Sequence, residues 1–202
     1  MNQLLDRLPA HGRREQLIAA ASEIFVLRGY HAASVREISQ RARVTKPTIY
    51  KYFAGKLDLY LAVLQGHLDE LVSGVRQAID AAGGTEECVR AAVAAYFDFV
   101  DQDSEAFRLI FGSTVLSEPA VQSRVHQANE ACIDAICALF GHIPDAIPHR
   151  IRLLATALVG ASELIACDWL EAGRAIPKAD AVETTVALCW TGLSAVSLQR
   201  PE

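Results

Sequence analysis

A short stretch of the chain concentrates side chains that bind anionic phosphates and the polar edges of nucleic-acid bases. Residues 44–60, VTKPTIYKYFAGKLDLY, contain three lysines, three tyrosines, two threonines and a single carboxylate. Ammonium and hydroxyl groups donate hydrogen bonds to phosphate oxygens and reach base edges in a DNA groove.

The chain contains no H-E-x-x-H, no G-x-S-x-G and no Gly-rich phosphate loop. The sequence therefore predicts no catalytic residues and a protein that is not an enzyme.

The cysteines and histidines do not form a pattern that binds metal. The five cysteines are scattered without a C-x-x-C pair, and the histidines do not cluster with carboxylates. An odd, dispersed set of cysteines argues against both a zinc site and a disulfide framework. We expect small buried apolar cysteines, no metal and no cofactor.

The charge of the chain is unevenly divided. Residues 1–56 carry ten Lys and Arg against four Asp and Glu, whereas residues 57–202 carry nine against twenty, within a net charge of −5. This asymmetry indicates that the first part faces a polyanion.

No apolar run approaches the roughly 20 residues that span a bilayer, and the first residues contain no apolar signal segment. We therefore predict a cytoplasmic protein without a membrane partner.

Helical periodicity extends along nearly the whole chain and predicts an all-α protein of about nine helices. The division of charge places a domain boundary at residue 56, giving domains 1–56 and 57–202. In the first domain, one helix covers about 13–28 and ends at Gly29. A second begins with Ser34-Val35-Arg36-Glu37, the pattern of a capping box. A third begins after Thr45, with Pro47 in its first turn.

The third helix has one apolar side and one polar side. At 100° per residue, Ile49, Tyr52 and Phe53 form the inner side. The outer side then consists of Pro47, Thr48, Tyr50 and Lys51. A short helix, a four-residue turn over residues 42–45 and a second short helix form a helix-turn-helix, which places its second helix in the major groove. DNA binding is favoured over a merely solvated polar surface and over a purely structural helical dimer, because neither explains the basic side.

Residues 14–64, REQLIAAASEIFVLRGYHAASVREISQRARVTKPTIYKYFAGKLDLYLAVL, resemble the N-terminal domain of TetR-type transcriptional regulators. The resemblance implies a nine-helix subunit, a homodimer, binding of a double-stranded DNA operator through three N-terminal helices, and a ligand cavity in the C-terminal part. The matching positions implied to lie nearest base edges are Arg36, Pro47, Thr48 and Lys51. Those implied to lie on phosphates are Thr45, Tyr50 and Lys56, with Lys46 in either role and Ser34 at the start of the second helix.

The turn departs from the family pattern at one position. TetR-type regulators usually have glycine where this chain has Arg43. If the turn requires a positive φ, arginine costs on the order of 1 kcal/mol relative to glycine. Either the turn differs in geometry, or Arg43 provides an additional phosphate contact.

The acidic part resembles a particular group of these regulators. KLDLYLAVLQGHLDELVSGVRQAI, YFDFVDQDSEAFRLIF and DAVETTVALCWTGLS are similar to TetR-type regulators of fatty-acid synthesis that sense long-chain acyl-CoA. This implies a hydrophobic small-molecule effector. The alternatives are a repressor of an efflux or catabolic gene released by a drug-like or aromatic ligand, and a filled core without a cavity. The apolar residues expected to line the cavity are Leu71, Val75, Ile79, Tyr96, Val100, Phe107, Ile133, Ile136 and Leu164.

The eighth and ninth predicted helices, about 148–172 and 180–198, are too apolar to be buried on one side only. The ninth begins with a pattern similar to a capping box at Asp180 to Glu183 and has an apolar seam, comprising Val182, Val186, Cys189, Leu193 and Val196. Two apolar sides per helix predict that one side packs within the subunit and the other against a second copy. We expect a two-fold homodimer through these helices and a roughly palindromic operator.

Overall fold

The computed structural model describes residues 10–102, 109, 114–141 and 147–195, which contain eight α-helices and no strand. The helices are α1 (Ala10–Ala32), α2 (Val35–Arg41), α3 (Lys46–Tyr52), α4 (Lys56–Ala81), α5 (Thr85–Gln102), α6 (Pro119–Leu139), α7 (Pro148–Glu171) and α8 (Lys178–Ala195). A 3₁₀ turn (Thr114–Ser117) precedes α6. The predicted all-α fold is confirmed. The predicted sixth helix, from Phe107 to Phe111, lies outside the described residues except for Leu109.

The chain divides into two compact units. The first contains the described residues 10–67, 109 and 114–124, and the second contains 68–102, 125–141 and 147–195. Both α4 and α6 contribute residues to each unit. The predicted domain boundary after residue 56 follows charge rather than contacts, and it stays a prediction.

The first unit is built on the apolar stripe of α1. Leu17, Ala21 and Phe25 recur at intervals of four residues and are fully buried, as expected of one helix face. Gly29 leaves the helical conformation at φ 70° and ψ 165°, where a residue with a side chain is disfavoured. The regular part of α1 therefore ends where the sequence predicts, and one further turn follows.

The start of α2 is closed by the predicted capping box. The Glu37 N–H donates to Ser34 Oγ at 3.2 Å, and the Ser34 N–H donates to Glu37 Oε2 at 3.1 Å. The Ser34 hydroxyl also donates to the Glu37 carboxylate at 2.8 Å. These hydrogen bonds, first that of the side chain and then that of the backbone, lower the pKa of Glu37 below its usual value.

The turn between α2 and α3 is hydrogen-bonded to α2 and to α1. The Val44 N–H donates to the Ser39 carbonyl at 2.9 Å, and Gln16 Nε2 of α1 donates to the Ala42 carbonyl at 3.0 Å. Arg43 adopts φ 54°, in the left-handed region. The turn therefore has the conformation that favours glycine, and the alternative of a different turn geometry at Arg43 is wrong.

In the second unit, α5 packs against α7 and α8. The Phe97 and Trp169 rings meet edge to face with their centroids 5.6 Å apart. The start of α8 differs from the prediction, because the helix begins at Lys178 and places Asp180 within its first turn. Glu183 forms an ion pair with Arg90 of α5, so the predicted capping box at Asp180 is wrong.

Among the described helices, α7 alone is long and apolar enough to cross a membrane, by length and composition only. Its contacts are those of a core helix. Ala155 and Leu158 are buried, and Arg152 forms ion pairs with Glu130 and Asp134 of α6. One side of α7 is therefore that of a core helix, whereas Leu153 and Leu164 are exposed.

The conformation of Arg43 generates a prediction about stability. Arg43→Gly should raise the free energy of unfolding by about 1 kcal/mol, because glycine adopts a positive φ without steric conflict. Arg43→Ala is the matched control: it removes the same guanidinium but keeps a Cβ, so its stability should stay near that of the wild type. Urea unfolding followed by circular dichroism measures both. Equal stabilisation by the two variants would contradict a backbone origin.

Candidate nucleic-acid interface and effector site

The orientation of α3 is set by two buried side chains. Ile49 is 1% exposed and Phe53, just after the helix, is 2% exposed. The Arg14 guanidinium of α1 lies 5.3 Å from the centre of the Phe53 ring. Tyr52, predicted to be buried, is only partly so. With this side turned inward, Pro47 and Lys51 are exposed and Tyr50 is 53% exposed, as predicted.

The outer side of α3 and the turn before it carry cations without counter-ions. Within the described part of the chain, Arg36, Arg43, Lys46 and Lys51 are exposed and form no ion pair. We call these four residues the cationic surface. Two arginines of α1 and α2 differ in having carboxylate partners: Arg41 pairs with Glu23, and Arg28 lies 3.8 Å from Glu37. Positive charge is thus left unneutralised at the place where a phosphate backbone would supply the counter-charge.

The hydroxyls near α3 are partly engaged. Thr45 precedes the helix in an extended conformation, but its side chain does not cap the backbone. Its Oγ1 lies 2.9 Å from Thr48 Oγ1, which leaves the pair able to hydrogen-bond further. The Ser34 hydroxyl donates to Glu37 within the capping box and retains acceptor capacity. The DNA contacts predicted for these residues stay predictions.

Lys56, the first residue of α4, lies where α4 packs against the end of α1, a contact region that we call the joint. Its Nζ donates to the carbonyls of Tyr30 at 2.8 Å, Ala33 at 3.1 Å and His31 at 3.3 Å. It also lies 4.4 Å from the centre of the Tyr30 ring. An ammonium has three donors, and these carbonyls account for them. In the structure this charge is bound to backbone carbonyls, and the phosphate contact predicted for Lys56 stays a prediction.

An aromatic cluster fills the same joint. Tyr60 contacts Phe25 and Tyr30 with ring centroids 5.1 and 5.0 Å apart. The Tyr60 hydroxyl donates to the Leu109 carbonyl at 2.8 Å. Burial, followed by the charge of Glu118, raises the pKa of Tyr30. These contacts hold the end of α1 against the start of α4.

The residues predicted to line an effector cavity occupy different places. Those buried inside the second unit are Leu71, Val75, Ile79, Tyr96, Val100, Ile133 and Ile136. Phe107 lies outside the described residues. Leu164 is 70% exposed, so its predicted inward position is wrong. The inward positions of α7 at this level are Ser162 and Ala166, and the partly buried Glu163 is directed towards α6 through its bond to Asn129.

A polar group within this apolar interior was missed by the sequence reasoning. It consists of Tyr96 on α5, Cys132 and Asn129 on α6, and Glu163 on α7. Asn129 Nδ2 donates to Glu163 Oε2 at 3.1 Å. Burial raises the pKa of Glu163 and that of Cys132. A sequence signal exists, because Glu163 is the only carboxylate in the apolar run from Leu153 to Cys167.

A surface cleft of about 580 Å³ separates α4 and α5 in the second unit. Its lining is Glu70, Leu71, Gly74, Ala78, Ala91, Ala94, Ala95, Asp98, Phe99 and Gln102. Leu71 is the one predicted lining residue among them. The cleft offers few groups that could bind a ligand specifically. Five of its ten lining residues are glycine or alanine, and Asp98 is already paired with Lys178 at 2.8 Å.

The described part of the chain contains no cluster of metal-binding side chains. No group of three His, Cys, Asp or Glu residues there could hold a metal ion. The described cysteines are free thiols, and burial raises the pKa of Cys167 to about 11. Protonated thiols of this kind are poor nucleophiles.

Comparison with known proteins covers both parts of the chain. Residues 17–63 match the family described as bacterial regulatory proteins, tetR family, and residues 85–192 match a tetracyclin repressor-like C-terminal domain. The HTH-type transcriptional activator FasR of Mycolicibacterium smegmatis is 49% identical over 199 residues, which cover 98% of this chain and 91% of that protein.

Solved structures have the same fold. A tetR-family transcriptional regulator from Streptomyces coelicolor has a TM-score of 0.77 at 28% identity, covering 93% of this chain and 82% of that one. FadR from Bacillus subtilis, crystallised with stearoyl-CoA, has a TM-score of 0.75 over 88% of this chain and 98% of its own, and its 17% identity shows the fold alone. The chain belongs to the tetR family of bacterial transcriptional regulators and is not an enzyme.

Proposed function

We propose that this regulator binds a palindromic DNA operator as a homodimer, with α3 of each copy in a major groove. The observation that carries the proposal is the cationic surface: four exposed cations on or beside α3 without counter-ions among the described residues. A short helix whose inner side is buried can present its outer side to base edges. A duplex supplies the negative charge that these residues lack.

The proposed contacts divide into two kinds. Arg36, Pro47, Thr48 and Lys51 would lie nearest base edges and determine sequence preference. Thr45 and Tyr50 would bind phosphates, and Arg43 would add a phosphate contact at the turn. Lys46 lies on the first turn of α3, where either role is open to it.

Lys51→Ala tests the orientation of α3. It should weaken binding to a genomic fragment selected by the wild-type protein by about tenfold or more, because a base-edge contact is lost. Arg76→Ala is the matched control: it makes the same change in net charge at an exposed site on α4 without a hydrogen bond or ion pair among the described residues, and it should leave affinity nearly unchanged. Fluorescence anisotropy at matched salt measures both. Equal affinities of Lys51→Ala and the wild type would show that α3 is turned differently.

We further propose that the effector is hydrophobic and belongs to fatty-acid metabolism, as a long-chain acyl-CoA or fatty acid. Two observations support this. The interior of the second unit is lined by aliphatic and aromatic side chains from α4, α5, α6 and α7. The relatives include FasR and a protein named fatty acid metabolism regulator protein, from Bacillus subtilis. An effector alters DNA binding only by binding one arrangement of the protein better than another.

The effector proposal is tested by mobility shift of a selected operator fragment with and without palmitoyl-CoA or oleoyl-CoA. We expect either compound at micromolar concentration to change the fraction of bound DNA. Free CoA is the control, since it has the phosphates without the acyl chain. No response to either acyl-CoA, with DNA binding intact, would exclude the lipid effector and favour a drug-like or aromatic ligand.

We propose that the homodimer forms through α7 and α8. Leu153 and Leu164 lie on one side of α7, eleven residues apart, and are 57% and 70% exposed. Leu188 of α8 is 66% exposed. Between the two leucines of α7, Ala157, Gly160 and Ala161 permit close approach of a second helix. A second copy would cover this surface in a two-fold interface.

Leu188→Glu tests this interface. Placing a carboxylate where a leucine is buried should weaken the dimer about 100-fold, since burying the leucine is worth roughly 2–3 kcal/mol. Leu27→Glu is the matched control, because Leu27 of α1 is exposed to a similar extent, 70% against 66% for Leu188. Analytical ultracentrifugation measures the dimer constant of each. A monomeric wild-type protein, or an unaffected Leu188→Glu dimer, would contradict the proposal.

A further inference from the structure

One buried hydroxyl in the second unit lacks a hydrogen bond of ordinary geometry. Tyr96 is 2% exposed, and its Oη makes no hydrogen bond of ordinary geometry among the described residues, although the Cys132 thiol lies near enough to be a weak partner. The other buried hydroxyls of this unit are satisfied: Ser162 donates to the Leu158 carbonyl and Thr185 to the Ala181 carbonyl, each at 2.8 Å. Since buried polar groups are nearly always paired, an exception calls for a partner that completes it.

The groups near Tyr96 are weak or charged partners. The Cys132 thiol lies close enough to influence the hydroxyl, but sulfur is a poor hydrogen-bond acceptor. Burial, above all, and then neighbouring groups including Glu163 raise the pKa of Tyr96 well above its usual value. The hydroxyl is therefore a protonated donor at neutral pH. Cys132 on α6 and Glu163 on α7 both contribute to this rise in the pKa of Tyr96, which places the hydroxyl near both helices.

The charge of Glu163 restricts what can accept this hydrogen bond. Its carboxyl group is partly buried and already accepts from Asn129. A second anion beside it in this apolar interior would be repelled, because charge interactions are strong where water is excluded. An uncharged acceptor, such as the carbonyl oxygen of an ester or thioester, meets no such repulsion.

We propose that Tyr96, with Cys132, Asn129 and Glu163 around it, is a polar subsite that binds the uncharged carbonyl of a hydrophobic effector. Tyr96 donates to that carbonyl, and Glu163 discriminates against a free carboxylate. The acyl chain then lies among the aliphatic residues of the interior. This inference rests on the proposed lipid effector and names the chemical form that the subsite selects: an acyl ester or thioester rather than a free fatty acid.

The first test compares Tyr96→Phe with Tyr60→Phe. Both tyrosines are buried, but only the Tyr60 hydroxyl makes a hydrogen bond of ordinary geometry. Tyr96→Phe removes an unsatisfied hydroxyl and should leave the Tm of the free protein equal to or above that of the wild type. It should weaken binding of methyl palmitate by about tenfold, measured by calorimetry. Tyr60→Phe removes a satisfied hydroxyl, since Tyr60 donates to the Leu109 carbonyl. It should lower the Tm and leave methyl palmitate affinity unchanged.

The second test uses Glu163→Gln with methyl palmitate and palmitate, which share an acyl chain and differ in charge. The wild type should bind the methyl ester more tightly, and Glu163→Gln should reduce that preference by strengthening palmitate binding. Glutamine keeps a carbonyl that can accept from Asn129, so the change is mainly one of charge. A wild type that prefers palmitate, or a preference unaltered in Glu163→Gln, would overturn the role of Glu163.

The outcomes separate this inference from the proposed effector class. If the wild type binds neither methyl palmitate, palmitate nor palmitoyl-CoA, the lipid effector itself fails. If the wild type binds methyl palmitate and Tyr96→Phe binds it equally well, the subsite is overturned and the lipid effector stands. In that case the Tyr96 hydroxyl is satisfied by an ordered water molecule, which an apolar site with a few polar groups can hold.

Discussion

Burial of Ile49 and Phe53 is the constraint on which the candidate DNA-binding surface depends. A seven-residue helix such as α3 does not stay folded by its own hydrogen bonds, because helix nucleation is unfavourable and short helices rely on packing. The two buried side chains fix both its existence and its rotation about its axis. The same rotation exposes Lys46 and Lys51. Replacing the inner residues would therefore alter the electrostatic surface without touching a charge.

The packing around α3 extends this constraint to the rest of the first unit. Gln16 binds the turn that precedes α3, and Lys56 closes the joint that follows it by binding three carbonyls at the end of α1. The Tyr30 and Tyr60 rings occupy that joint. Lys56 thus stabilises the first unit through its hydrogen bonds to backbone carbonyls. The four residues of the cationic surface form no ion pair among the described residues and remain exposed, which leaves them able to bind an external anion.

Much of this could be predicted from local sequence, since local rules determine helix ends. Ser34 with Glu37 marks the start of α2, because capping depends on residues within one turn. Pro47 marks the first turn of α3, where its missing N–H costs little, whereas Thr45 occupies the N-cap position without a capping hydrogen bond. Other features depended on contacts distant in sequence. The capture of Lys56 by carbonyls 23 to 26 residues away has no local signature. The inner side of α7 has no local signature either, because a helix with apolar residues on all sides has no preferred face. Sequence therefore predicts neither the exposure of Leu164 nor the bond of Glu163 to Asn129.

The central claim is that this chain recognises a particular duplex sequence through the cationic surface. The most direct measurement is selection of fragmented DNA, from the genome that encodes the protein, by the full-length protein at low salt against excess random competitor. The account predicts strong enrichment of a few fragments that share one palindromic element, with half-sites about one helical turn apart. Enrichment of no fragment above the random competitor would contradict it.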